Sequence, residues 1–127
     1  MTDSSIREAF RKMQRQVYAL AAEKGWHPDG RADTPDKIAD YVPRAVANLH
    51  GEMSELWEAY RAGKLYEPCD KADRMEEPLT CLEEELADIG IRLMDGAEKL
   101  GVDLGRAIAI KHSYNSVRPH RHGGKLA

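Results

Sequence analysis

Two stretches of this chain place acidic residues beside the positions a helix would bury. In LHGEMSEL, residues 49–56, Glu52 and Glu55 stand among Leu49, Met53 and Leu56. In LEEELADI, residues 82–89, Glu85 and Asp88 stand among Leu82, Leu86 and Ile89. The two superimpose residue for residue: Leu82 on Leu49, Glu85 on Glu52, Leu86 on Met53, Asp88 on Glu55 and Ile89 on Leu56. At roughly 100° per residue, each acid pair runs along one helix edge beside its apolar stripe. Helices packed stripe against stripe would therefore gather four carboxylates. Desolvated like charges repel and raise one another's pKa unless something neutralises them. A hard divalent cation with oxygen ligands, magnesium above all, is the natural neutraliser, and it completes its shell with water and substrate phosphates. Zinc would draw histidine or cysteine into the set. A di-iron centre of the ferritin-like kind would need Glu-x-x-His on two helices, and neither His50 nor His112 follows a glutamate by three.

The elements that must carry these acids follow from the hydrophobic period. Ile6, Phe10, Met13, Val17 and Leu20 recur in steps of three and four, which predicts a helix from Ile6 to about Lys24, ended by Gly25. WHPDGRAD, residues 26–33, is a loop by its Pro, Asp and Gly content. Thr34 and Pro35 mark a helix start as N-cap and first residue. Pro43 is expected to break or bend that segment, with a long helix running on to Arg61 and burying Val46, Leu49, Met53, Leu56 and Tyr60. Residues 63–78 are polar and bounded by proline, a long loop that either covers the site as a lid or only connects helices. Thr80 and Glu83 have capping-box spacing; the helix they open is expected to reach about Leu100, burying Leu82, Leu86, Ile89, Leu93 and Ala97, with Gly101 closing it. Asp103 caps a last helix to about Asn115, and an irregular basic tail starts near residue 117. No stretch alternates as a strand. The expected fold is all-α: a four-to-five-helix bundle in one domain spanning residues 1–127.

The acid motifs and the C-terminal end together resemble a known family. Glu52-x-x-Glu55 followed by Glu85-x-x-Asp88, with Lys111-x-x-x-Asn115-x-x-Arg118 behind them, is similar to the MazG-like nucleotide pyrophosphohydrolases of the all-α NTP pyrophosphatase superfamily. The resemblance covers roughly residues 40–125, with the motifs in the expected order. It implies hydrolysis of a nucleoside triphosphate to the monophosphate and pyrophosphate. Magnesium, with manganese as a substitute, would be held by Glu52, Glu55, Glu85 and Asp88. Lys111, Asn115 and Arg118 would hold the phosphates. One of the four carboxylates, with Glu55 as first candidate, would accept the proton of the attacking water. The resemblance also implies a homodimer or homotetramer in which neighbouring subunits complete the bundle and the site. Two departures stand out: Gly51 occupies the place where many members carry a further acid, and the interval between the motifs is long.

Composition sets the remaining bounds. The chain has 127 residues, a net charge of -3, and 42% hydrophobic against 32% charged residues, as expected of one soluble helical domain with a modest core. Acids crowd residues 52–88 and none follows Asp103, whereas Arg106, Lys111, Arg118, Arg121 and Lys125 fill the end. That short basic end on an acidic body argues against nucleic acid as partner. With no apolar run near the roughly 20 residues of a membrane span, no signal-like N-terminus, and only Cys69 and Cys81 as thiols, the expectation is a cytoplasmic protein without membrane association. Three side-chain groups invite functional assignment and have plainer ones. Trp57 and Tyr60 would stack on a base or pack at a core or subunit contact; Trp26 and His27 would border a base pocket or seal a core edge; His120 and His122 would touch phosphate or remain solvated. The rival activities are a base-selective enzyme of the dUTPase or dCTPase kind and a non-catalytic helical module that binds nucleotide or a partner.

Overall fold

The computed structural model describes residues 3–119. Its elements are α1 (Ser4–Glu23), α2 (Pro35–Arg61), α3 (Cys81–Lys99) and α4 (Leu104–Ser116), with a short 3-10 turn at Ala72–Arg74. Among the described residues there is no strand, only an isolated antiparallel bridge between Pro68 and Thr80. The all-α expectation holds. The central element is α3, against which both α1 and α2 pack, while α4 packs on α1. Among the described residues no helix is long and apolar enough to cross a membrane. The tail residues His120, Arg121, His122 and Lys125 lie outside the described residues.

Local chemistry sets the helix ends. The Thr34 side chain accepts from the Lys37 amide and Pro35 takes the first helical position. Thr80 and Glu83 form the full capping box, each side chain satisfying the other's backbone N–H. Asp103 accepts from the Arg106 amide at 3.1 Å. Gly25 and Gly101, with φ of 92° and 73°, adopt the left-handed conformation that only glycine enters without strain. They return the Trp26 and Val102 amides to Ala21 and Ala97 and so end α1 and α3.

Pro43 does not break α2. The helix runs through it unbroken for 27 residues. A proline costs the hydrogen bond to the carbonyl four residues back, here that of Ala39. Both residues are exposed, so water can serve the freed carbonyl, and the Arg44 side chain caps the next one, donating to Asp40 O.

The predicted burial of the long stripes is corrected as well. Val46, Met53 and Tyr60 on α2, and Leu86 and Leu93 on α3, are exposed, Met53 and Leu86 at 53% each. Leu49, Leu56, Leu82 and Ile89 are half-buried. Among the described residues the buried apolar side chains are small: Ala32, Cys69, Ala72, Ala97 and Ala109. With only α1 and α2 packed against α3, the outer edges of the stripes stay uncovered. Trp57 and Tyr60 stack on each other with ring centroids 5.4 Å apart, and both remain more than half exposed.

The interior is instead tied together by polar groups at the C-terminal end of α3. Gln14 of α1, fully buried, donates to Glu98 Oε1 at 2.9 Å and to Val102 O at 2.8 Å, and accepts from the Leu104 amide. Arg31 Nη1 meets Glu98 Oε2 at 2.7 Å. Burial would raise the Glu98 carboxyl, but the bonds from Gln14 and Arg31 outweigh it and hold it below the usual range. Buried Lys99 donates to Asp29 Oδ1 at 2.9 Å and to Gly30 O, and the Ala32 amide returns to Lys99 O. Residues 24–34 are thus a loop by conformation yet clamped to α3 along much of their length. Replacing Gln14 with Leu keeps the volume and leaves a buried carboxylate and a carbonyl short of a donor, which should cost about 2–3 kcal/mol in urea unfolding. A cost below about 0.5 kcal/mol, the usual effect of an inert surface change, would show that the clamp does not hold α1 to α3.

Candidate metal centre

The α2–α3 seam brings the four predicted acids together. One carboxylate oxygen from each of Glu52, Glu55, Glu85 and Asp88 lies within 4.8 Å of every other. The matched helical phase explains this: both helices turn the same edge toward the seam, so the pairs meet two against two. Glu55 is exposed and the other three are half-buried. Glu52 Oε2 and Glu85 Oε2 are buried with no hydrogen-bond partner, a costly state for carboxylate oxygens. Burial, then the charges of Glu55 and Asp88 and a hydrogen bond with Glu55, push the Glu85 carboxyl up to about 7. Burial and the neighbouring charges of Glu52 and Glu84 raise Asp88 as well. An all-oxygen donor set, two orphaned oxygens and the raised Glu85 and Asp88 carboxyls fit a hard divalent cation bound by Glu52, Glu55, Glu85 and Asp88.

The cage opens into a cavity of about 1030 Å³, at the upper end of the roughly 300–1,000 Å³ typical of small-ligand sites. From the acids it extends along the seam past Asn48, Arg92 and Tyr41 to Trp26, His27 and Asp95. Trp26 is 70% exposed and lines this cavity, so it does not seal a core edge. His27 is buried between Tyr18, stacked at 4.5 Å, and the edge of Tyr41, and its Nε2 lies 2.8 Å from Asp95 Oδ1.

The connection between α2 and α3 forms another part of the wall. Around the Pro68–Thr80 bridge, the Cys69 amide donates to Leu79 O and the Cys81 amide to Glu67 O. This folds the connection back on the start of α3 and carries Cys69 and Lys71 to the cavity. Glu84 is buried there. Lys71 Nζ reaches it at 2.6 Å, and hydrogen bonds from Cys69 and Lys71 hold its carboxyl below the usual range.

The predicted phosphate-holding set is not brought to the acids within one chain. Lys111 and Asn115 are exposed on α4 and Arg118 lies just beyond it, and none of the three lines the cavity. The reason is the docking of α4 on α1 rather than on α2. Lys111 and Arg118 instead sit over the Tyr114 ring, 4.6 Å and 5.7 Å from its centroid. Among the charged residues at the cavity that motif spacing overlooks are four that stand out: Arg92, Arg44, Asp95 and Lys71. A signal for three of them existed. Arg92 and Asp95 follow Asp88 by four and seven residues, and Arg44 precedes Glu52 by eight, all repeats of a helix face. Lys71 arrives from a connection with no periodic signal.

No family model, no curated protein and no solved structure matches this chain.

The raised Glu85 carboxyl has a consequence for stability. Between its ordinary value of 4.5 and about 7, Glu85 is protonated in the folded chain and ionised in the unfolded one. The folded state then binds more protons, so stability falls as pH rises through that window. Carboxylates held low, such as Glu84 and Glu98, act in the opposite sense at more acidic pH. Metal-free protein should therefore melt at a lower temperature at pH about 7.5 than at pH about 5. Glu85→Gln should flatten this slope, and millimolar magnesium should restore the Tm at the higher pH by binding the folded state alone. A Tm that rises over this interval in metal-free protein would contradict the crowding of charge described here.

Proposed function

We propose that this chain is a magnesium-dependent nucleoside triphosphate pyrophosphohydrolase with a MazG-like bundle, converting NTP or dNTP and water to the monophosphate and pyrophosphate in nucleotide-pool housekeeping. The observation that carries the proposal is the convergence of Glu52, Glu55, Glu85 and Asp88 within 4.8 Å at the wall of a cavity large enough for a nucleotide. Bound there, magnesium supplies charge to polarise the phosphates and to offset the charge that develops as the anhydride breaks. The chain's own part is to hold that charge in place, to exclude bulk water along the seam, and to take a proton from the attacking water. Glu55 is the most exposed of the four and has a carboxylate oxygen within 4.8 Å of one on Glu85, which suits it to pass a proton between cavity and cage.

The exposed stripes support the oligomeric half of the proposal. The chain exposes 9477 Å², against about 6,800 Å² for a folded monomer of this size. Burying Val46, Met53, Leu86 and Leu93 against a second copy, as a homodimer or within a homotetramer, would remove a part of that excess. The same assembly gives Lys111, Asn115 and Arg118 a place to act, on the phosphates held at a neighbouring subunit's cage.

Purified protein given a panel of NTPs and dNTPs with magnesium should release pyrophosphate. Glu52→Ala and Asp88→Ala should each lower turnover on the order of 10²-fold or more, the scale of losing a charge-stabilising group. Absence of turnover for every nucleotide with metal present would sink the proposal. Sedimentation analysis should find a dimer or tetramer, and a stable monomer at micromolar concentration would contradict the assembly.

A further inference from the structure

Arg92 lies one turn beyond Asp88 on α3, and its Nε donates to Glu52 Oε1 across the seam at 3.0 Å. Among the described residues it is the one cation paired with any of the four cage carboxylates. Two features make this an odd structural tie. A guanidinium carries five N–H donors in a planar fork suited to two parallel bonds, yet a single N–H is used here and Glu52 Oε2 is left without a partner. The Arg92 side chain is also 42% exposed while that of Glu52 is 12% exposed, and an ion pair with one open end contributes little to stability. Both residues line the cavity.

The same oxygen set is wanted by a divalent cation. Such an ion, seated among the four acids, takes over the charge of Glu52 and repels the guanidinium beside it. Arg92 then loses its counter-ion but stays at the cavity wall with its fork free. The ligand chemistry that replaces a carboxylate at a free guanidinium fork is a phosphoryl group.

We propose that Arg92 is an exchange cation of this site: it neutralises Glu52 while the cage lacks its ion, and it grips a phosphoryl oxygen of the substrate once the ion has taken Glu52. The proposal rests on the reading of the cage as a metal centre for a polyphosphate substrate. It assigns in cis a phosphate contact that Lys111 and Arg118 do not make within the chain. It also makes metal and polyphosphate mutually dependent, since the ion frees the residue that holds the anion and the anion keeps that residue away from Glu52.

Arg92→Gln separates these roles because the two halves of the proposal predict opposite signs. Manganese alone, followed by the loss of its free-ion paramagnetic resonance signal, should bind the variant roughly fivefold more tightly or better, because its competitor for Glu52 is gone. Inorganic pyrophosphate in excess magnesium, followed by calorimetry, should bind the variant on the order of tenfold more weakly. Arg92→Lys, which keeps the charge and loses the fork, should bind manganese as the wild type does and pyrophosphate with intermediate affinity. A structural role would move both affinities of Arg92→Gln downward together. That result, or two affinities equal to wild type, overturns the proposal while leaving the metal centre standing. Wild-type protein that takes up neither manganese nor magnesium overturns the metal centre itself, and this inference with it.

Discussion

Four carboxylates gathered on one helix seam are the constraint to which the rest of this molecule answers. Two unit charges at such separations repel by roughly 3–4 kcal/mol even at the moderate effective dielectric of a protein surface, and here several such pairs coexist. The fold accepts that cost at one place. Glu85 responds by holding its proton to about pH 7, Asp88 by a shift in the same direction, and Glu52 by its single bond to Arg92. Each is a partial remedy, and two buried oxygens stay unpaired after all three. A divalent cation would remedy all of them at once.

Holding repelling groups together requires a scaffold fixed elsewhere. That scaffold is the opposite end of α3, where Gln14, Arg31, Glu98, Lys99 and Asp29 form satisfied pairs between α1, the first loop and the helix C-terminus. At the start of α3 the capping box and the Pro68–Thr80 bridge fix the other boundary. The acids thus sit on a helix anchored at both ends, and their neighbours on α2 are carried by a 27-residue helix that a proline fails to interrupt. The polar clamp does work that large apolar side chains do in most small domains, and Val46, Met53, Leu86 and Leu93 are left on the surface.

Much of the site could be read from the chain because its determinants are local. The phase of Glu52 and Glu55 against Glu85 and Asp88 depends only on the helix period, and the caps at Thr34, Thr80 and Asp103 depend on residues three positions away. The features that escaped are set by contacts distant in sequence. Whether Val46, Met53 and Leu86 are buried depends on what lies opposite them, which periodicity does not state. Glu84 is buried because Lys71 and Cys69 come from a connection folded back by a bridge, and Lys111 and Arg118 stand away from the acids because α4 docks on α1. Pro43 leaves α2 whole because it lies on an exposed face, where solvent relieves a penalty that the sequence alone does not show to be relieved. Arg92 was legible in principle: extending the acid face of α3 by one more turn arrives at it.

The central claim, that the acids are a cation cage, is tested most directly by crystals grown with manganese and measured for its anomalous scattering. The account predicts a peak between α2 and α3, at roughly 2.0–2.3 Å from carboxylate oxygens of Glu52, Glu55, Glu85 and Asp88. A map with no peak at this seam at saturating manganese, or with peaks only on other acids of the surface, would contradict it.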